Sequence, residues 1–241
     1  MIHQFIFAAP KPGFTATEFQ DYWTKVHAVN FASKIPQIKR YLIDVRIPFP
    51  GELGSPQLPH QGIAEIWLEN EEQQIASLQT KEFLEGARRD EPNWAAFWLT
   101  FVIDTTAYEP VPGQAPAGKT PSWVKLTLLR KRRPGLGLAE YRDRSLDSYA
   151  AAIASLPGLR RHLQAHTRDG AYVFGEAQFD SVDQIWFDDV PALTTALDSE
   201  IFHEKVLPEQ SALTDPRYAF SLTAKENWIM GMEDSSDDRQ R

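Results

Sequence analysis

One histidine stands in a sequence pattern that could carry out proton-transfer chemistry. His27 follows Trp23 by four residues and Phe19 by eight, so the three side chains lie on neighbouring turns of one helix face. A neutral imidazole at the border of a buried helix face titrates near neutrality and can give or take a proton. We predict His27 as the general acid/base, with Phe19, Tyr22, Trp23 and Asn30 contacting the substrate. The alternative is that His27 is a structural helix residue.

Aromatic side chains farther along the chain could line a pocket for an apolar substrate. The candidates are Tyr41, Trp67, Trp94 and Trp98, although aromatic residues at these positions also commonly belong to a core. Glu65 is two residues from Trp67 and could orient His27 or contact the substrate. It could equally be a strand residue that faces solvent.

Several classes of chemistry are excluded or disfavoured by composition. The chain has no cysteine, so a thiolate ligand or a cysteine nucleophile is impossible. We predict no metal and no cofactor. We do not take the other histidines, which are His3, His60, His162, His166 and His203, as metal ligands.

The charge and hydropathy of the chain limit the classes of partner that it is expected to bind. The formal net charge is −8 over 241 residues. An acidic chain without a basic stripe is a poor candidate for binding nucleic acid or an anionic membrane. No apolar stretch approaches the roughly 18 residues that span a bilayer, and no basic leader precedes the first apolar run. We therefore expect a soluble, cytoplasmic protein whose partner is a small hydrophobic organic substrate.

The elements that must position these residues occur twice, because the sequence is an internal duplication. The stretch beginning at Lys11 recurs from Arg133, with Pro12-Gly13 repeated as Pro134-Gly135. Further matches in the same order are Pro36 with Pro157, Ile66-Trp67 with Ile185-Trp186, Phe83 with Phe202, and Glu91-Pro92 with Asp215-Pro216.

Each copy predicts the element order βαββαβ, which is a ferredoxin-like unit. In the first copy we expect strands at 2–8, 38–45, 63–68 and 97–108, and helices from Thr15 or Thr17 to Lys34 and over 71–88. A single unit leaves one sheet face bare. The predicted fold class is therefore α+β, with two units packed sheet to sheet as an intrachain dimeric α+β barrel. One chain suffices for this barrel, and further homodimerisation is possible.

The predicted domain boundaries follow from composition. We expect the first unit at 1–110, a Pro/Gly-rich linker at 111–121, a second unit at 122–231 and a disordered acidic tail at 232–241. Between the second and third strands, residues 47–61 are rich in proline and glycine. This segment is longer than most such connections, which suggests a lid, an interface arm or a plain surface insertion.

The first copy resembles the EthD family of the dimeric α+β barrel superfamily. The resemblance is carried by Lys11, Phe19, Tyr22, Trp23 and His27, and it weakens in the second copy. It implies a role in handling small organic molecules. The superfamily includes cofactor-free aromatic monooxygenases, polyketide cyclases, muconolactone isomerases, decarboxylases and haem enzymes, so the fold does not select the reaction.

The second copy lacks the candidate acid/base. Arg144 replaces Tyr22, Ser145 replaces Trp23, and either Ser148 or Tyr149 replaces His27. One active unit and one degenerate unit are therefore expected.

These observations favour a cofactor-independent enzyme that performs acid/base chemistry of the lyase, isomerase, cyclase or decarboxylase type. Its expected substrate is an aromatic or polyketide-derived molecule. The alternatives are cofactor-free oxygenation of an aromatic substrate, or a non-catalytic protein that binds a hydrophobic metabolite and serves an oxidation system.

Overall fold

The computed structural model describes residues 1–113 and 122–231. Eight strands are present in this part of the chain: β1 (Ile2–Ala8), β2 (Ile38–Arg46), β3 (Gly62–Leu68), β4 (Phe101–Val111), β5 (Val124–Arg132), β6 (Arg161–Thr167), β7 (Ser181–Phe187) and β8 (Thr214–Met230). The expected linker at 111–121 begins within β4. Residues 114–121 of that linker and the expected tail lie outside the described residues.

Helices connect the strands in the predicted order. Helix α1 runs through Ala16–Tyr22, a π-helical turn at Trp23–His27, and Ala28–Asn30. The other helices are α2 (Glu71–Ser77), α3 (Glu82–Ala87, then Arg88–Asp90), α4 (Leu138–Arg144, Ser145–Tyr149, then Ala150–Ala154), α5 (Val190–Leu197) and α6 (Phe202–Val206, then Leu207–Leu213). No helix among the described residues has the length and apolar character needed to cross a membrane.

Three expected element boundaries differ from the structure. Helix α1 stops at Asn30 rather than Lys34, because the backbone of Phe31 leaves helical values before the extended Ile35 that precedes Pro36. The helix expected over 71–88 is two helices. Strand β4 starts at Phe101, since Phe97–Leu99 forms a 3₁₀ turn.

The strands close into one antiparallel barrel in the order β1-β3-β2-β8-β5-β7-β6-β4. Each unit contributes four consecutive strands, and the two units join at β2–β8 and β4–β6. Val45 pairs with Lys225 at the first junction, and Thr106 pairs with His166 at the second. This confirms the predicted fold class. Pairing at these two junctions leaves neither four-stranded sheet with a free edge strand, so the two sheets close into one barrel.

Alternate residues of each strand face the barrel interior, and the others face the helices. The interior holds a core to which both units contribute, including Phe5, Ile63, Leu129 and Trp186. Each unit has a separate core between its sheet and its own helices. Both faces of most strands are therefore buried.

A buried charge cluster joins the two units inside the barrel. The ammonium group of Lys125 lies 2.8 Å from Asp44, 2.7 Å from Glu65 and 2.8 Å from Glu226. His3 Nε2 lies 2.7 Å from the second oxygen of Glu65. Burial raises the pKa of Asp44 well above its usual value. Burial would do the same to Glu65, but Lys125 and His3 outweigh it and hold the pKa of Glu65 well below its usual value.

Lys125→Met is expected to destabilise the fold strongly, because it leaves carboxylates of both units buried without their cation. Removing one partner of a buried ion pair costs about 3–5 kcal/mol, measured here as the free energy of unfolding in urea. The matched control is Lys25→Met, which breaks a largely exposed pair with Asp21 and should change little. Equal losses in the two variants would show that the cluster does not stabilise the barrel.

Candidate functional site

Helix α1 begins with a capping box and contains a π-helical turn. Thr15 caps its first turn by accepting a hydrogen bond from the Glu18 amide, and the Glu18 carboxylate accepts one in return from the Thr15 amide at 2.8 Å. The π-helical turn at Trp23–His27 lies in the middle of the helix. Within it Trp23 and His27 are both buried. Equivalent π-helical turns occur at Glu82–Ala87, Ser145–Tyr149 and Phe202–Val206, so the turn by itself does not mark a functional site.

An aromatic cluster anchors α1 to the sheet. Trp23 contacts both Phe19 and Trp94, with ring centroids 5.4 Å and 5.1 Å away, and Tyr41 from β2 belongs to the same core. Gly62 of β3 allows this approach, because a Cβ there would come within 2.9 Å of the Trp23 indole and 2.7 Å of the Asp44 carbonyl. The structure therefore brings four of the predicted aromatic residues into one core, and one of them, Trp94, contacts the His27 ring.

His27 forms an imidazole–carboxylate pair with Asp90, the last residue of α3. The distance from Nδ1 of His27 to Oδ2 of Asp90 is 2.9 Å. The other oxygen of Asp90 accepts hydrogen bonds from the Tyr22 hydroxyl at 2.8 Å and from the Asn93 amide at 3.0 Å. Asp90 is thus held in place from two sides while it contacts the imidazole.

The hydrogen bonds assign the proton of neutral His27 to Nδ1. Burial alone would raise the pKa of Asp90, but donors on Asn93, His27 and Tyr22 outweigh it and hold that pKa below its usual value. The ionised carboxylate therefore accepts from Nδ1. The Trp94 indole nitrogen also lies 3.2 Å from Nδ1. Because Nδ1 cannot donate and accept at once, we assign the charge-assisted bond to Asp90 and treat the indole as a close contact.

The second ring nitrogen of His27 keeps its lone pair free. Nε2 makes no hydrogen bond to another described residue. It is also not sealed from solvent, so a reactant can reach it. Burial lowers the pKa of His27 more than Asp90 raises it, so the ring is neutral at pH 7. The rings of Trp94 and Phe31 flank it at 4.7 and 6.2 Å. This arrangement suits a general base beside an apolar reactant.

Four predicted site residues lie away from this pair. Asn30 is exposed at the end of α1, and Trp98 is 71% exposed in the 3₁₀ turn before β4. Glu65 faces the barrel interior, on the opposite side of the sheet from α1, so it does not orient His27. Trp67 faces the same interior, where it stacks on His3 with centroids 4.2 Å apart.

The carboxylate that orients His27 is Asp90, which the sequence analysis missed. The two residues are 63 positions apart, and no local pattern joins them. A signal was nevertheless present, because Asp90 directly precedes Glu91-Pro92-Asn93-Trp94, the motif repeated in the second copy. That motif turns the chain so that Asn93 and Trp94 reach the same site.

The second unit places a different set of side chains under its first helix. The π-helical turn Ser145–Tyr149 of α4 corresponds to Trp23–His27, so Tyr149 stands at the position of His27. Beneath α4 lies a buried pair of Arg130 with Asp183, with the guanidinium 4.0 Å from the Tyr149 ring centroid. Ser145 replaces the indole of Trp23.

Two histidines of β6 complete this polar region. His162 and His166 are buried, and within the described residues neither ring makes a hydrogen bond. Burial, reinforced by Arg130, lowers the pKa of both imidazoles to about 3. No group of three or more His, Asp or Glu side chains in the described part of the chain is placed to hold a metal ion.

A closed antiparallel barrel with helices outside, bearing an imidazole–carboxylate pair under one helix, defines a protein of the dimeric α+β barrel class folded from a single chain. The EthD domain matches residues 11–97 and 133–217, and the chain belongs to the EthD family. The two matched segments also agree with the duplication. Among curated protein sequences, none matches this chain.

Solved structures share the fold at low identity. An anthrone oxidase-like protein gives a TM-score of 0.61 at 11% identity, covering 98% of this chain and 95% of that chain. A "putative monooxygenase" from Fusobacterium nucleatum gives 0.55 at 6% identity, covering 95% and 92%. A "putative chlorite dismutase" gives 0.55 at 11% identity, covering 94% and 95%. At these identities the likeness shows the fold alone.

Asp90→Asn is expected to lower the pKa of His27 further, because the carboxylate is what opposes burial at this ring. An NMR titration of the His27 ring resonances would measure it, with a wild-type midpoint below the ordinary value of 6.5. Asp21→Asn, on the exposed side of the same helix, is the control and should leave the midpoint unchanged. A wild-type midpoint above 6.5, or no response to Asp90→Asn, would contradict the assigned pair.

Acid should destabilise the protein through His162 and His166. Their folded pKa is about 3, against about 6.5 when unfolded. Only the unfolded chain therefore binds these protons between the two values, and stability falls as the pH drops below 6.5. At pH 5 the loss is about 2 kcal/mol per histidine.

His162→Gln should reduce the loss of unfolding free energy between pH 7 and pH 5 by about that amount in urea titrations. His203→Gln removes an exposed histidine and serves as the control. An unchanged pH dependence in His162→Gln would show that this imidazole is not buried in its neutral form.

Proposed function

We propose that this EthD-family protein is a cofactor-independent enzyme that moves protons on a small hydrophobic molecule, aromatic or polyketide-derived. His27 would be the general acid/base, and Asp90 would position it. The observation that carries the proposal is the 2.9 Å contact between Asp90 and Nδ1 of His27, which leaves Nε2 free to take a proton.

The surroundings of the pair support this role. A carboxylate on one imidazole nitrogen fixes the tautomer and stabilises the imidazolium that forms when the other nitrogen accepts a proton. Tyr22 and Asn93 hold Asp90 ionised. The flanking rings of Trp94 and Phe31 would favour an apolar reactant over a charged one. Phe19, Trp23 and Tyr41 would support the site from beneath.

Proton removal next to a carbonyl opens several reactions, including dehydration, decarboxylation, isomerisation and cyclisation. A second candidate is oxygenation, in which the same base forms a substrate carbanion that is then oxidised by O₂. The similarity of the fold to an anthrone oxidase-like protein and to a "putative monooxygenase" favours testing this candidate. A non-catalytic binder of hydrophobic metabolites is the remaining alternative.

Anthrone distinguishes these possibilities. Removal of a C10 proton leads to exchange with solvent when O₂ is absent, whereas the same carbanion can be oxidised when O₂ is present. In D₂O without O₂, wild-type protein should accelerate exchange at C10, followed by NMR. In air the same protein should consume O₂ only if oxygenation follows. His27→Gln should slow exchange by about 10²–10⁴-fold, the usual contribution of a positioned acid/base. Asp90→Asn should also slow it, because a neutral amide stabilises the imidazolium less than a carboxylate does.

His203→Gln, which changes an exposed histidine, is the matched control and should exchange like the wild type. A folded His27→Gln variant with wild-type exchange would refute the assignment of the base. Wild-type protein that binds anthrone without exchange or oxygen uptake would support the binder.

A further inference from the structure

The second unit contains a cavity of about 430 Å³ between its helices and its sheet. The floor is formed by Leu126 and Leu128 of β5 and Ile185 of β7, and Ile153 of α4 lines one side. Cavities that hold small molecules typically measure about 300–1,000 Å³ and are mostly apolar. The cavity adjoins Tyr149, the counterpart of His27, but His27 itself does not line it.

The roof of this cavity comes from the first unit. Residues 49–53 cross from the β2–β3 connection, and Phe49 packs into the core of the second unit. The Leu53 amide donates to the Ser221 hydroxyl at 2.6 Å, and the Ser221 amide donates to the Leu53 carbonyl at 3.2 Å. Glu52 accepts a hydrogen bond from the Thr223 amide at 2.7 Å. The roof is therefore fixed to β8 by polar contacts, which leaves the cavity beneath it preformed.

The charges of the lining select against an anionic ligand. None of the residues around the cavity is lysine, arginine or histidine, and the one carboxylate, Asp198, is exposed. Arg130 lies behind the Tyr149 ring and does not line the space. A negatively charged ligand would meet no cation there, whereas a neutral apolar ligand loses little on leaving water.

One tyrosine of the lining has a hydroxyl without a protein partner among the described residues. Tyr149 is 1% exposed, and its hydroxyl makes no hydrogen bond to another described residue, yet its oxygen is not among the side-chain atoms sealed from solvent. Burial raises the pKa of Tyr149, so the hydroxyl remains protonated and can donate. Tyr141, the other large tyrosine under α4, differs because its hydroxyl already contacts the Ser181 hydroxyl at 2.7 Å. Because the hydroxyl oxygen is not among the atoms sealed from solvent, it is open to the cavity side and can donate to an oxygen of the ligand in place of water.

We propose that this cavity is a ligand site for a neutral, largely apolar molecule, with a carbonyl or hydroxyl oxygen that accepts a hydrogen bond from Tyr149. The site is built by both units, since the first supplies its roof and the second its floor and its donor. It is separate from His27 and does not depend on the reaction proposed there.

Prodan, a neutral naphthyl ketone, is a suitable probe. Its emission moves to the blue in apolar surroundings and to the red when its carbonyl accepts a hydrogen bond. Wild-type protein should bind it with a saturable blue shift. Leu128→Trp, which fills the floor, should weaken binding at least tenfold. Thr194→Trp fills the cavity from an exposed helix position, so it tests the same point if Leu128→Trp does not fold.

Tyr149→Phe keeps the shape and removes the donor. It should weaken prodan binding by about 2- to 10-fold, the usual net value of one hydrogen bond, and should shift the bound emission further to the blue. Tyr141→Phe is the matched control and should change neither quantity. His27→Gln should also leave prodan binding unchanged, so this site and the proposed catalytic site can fail separately.

Three outcomes would overturn the proposal. The first is that wild-type protein does not bind prodan with saturation. The second is that folded Thr194→Trp binds it as tightly as the wild type. The third is that Tyr149→Phe leaves the bound emission maximum unchanged, which would remove the assigned donor.

Discussion

The structure depends on one constraint, which is that the four-stranded sheet of each unit must have its inner face covered by the sheet of the other unit. A sheet with helices on one face has an apolar second face that cannot remain in water. The chain meets this requirement internally, since β2 pairs with β8 and β4 pairs with β6. Lys125 then satisfies carboxylates from both units. Because the tether holds the units at high effective concentration, neither has to find a second chain.

Once the barrel interior is shared, the outer helix–sheet interfaces are free to differ. The first unit fills its interface with the aromatic side chains around Trp23 and leaves an imidazole–carboxylate pair at the edge. The second has Ser145 in place of that tryptophan and buries Arg130 with Asp183 under the same helix. Gly62 leaves room for the Trp23 indole in the first unit. Its counterpart in the second unit, Ser181, contacts the Tyr141 hydroxyl instead. The two copies therefore have matched backbones with different chemistry.

The segment between β2 and β3 shows how the two units depend on each other outside the barrel. The sequence left open whether this segment is a lid, an interface arm or a surface insertion. In the structure, its residues 49–53 cover a cavity of the other unit. Its polar contacts to β8 fix it as an arm of the interface. The unit that appeared degenerate by motif thus encloses a cavity, while the unit that kept the motif holds the ionisable pair.

The duplication, the order of elements and the stripe on α1 that carries Phe19, Trp23 and His27 were determined by the sequence alone, because they are local or repeated patterns. Only the tertiary structure decided the rest. Most strands are buried on both faces, so alternation could not show that Glu65 and Trp67 face the barrel interior. Asp90 meets His27 across 63 positions, a contact with no local periodicity. Likewise, the cavity beside Tyr149 arises from packing between units, which no single segment encodes.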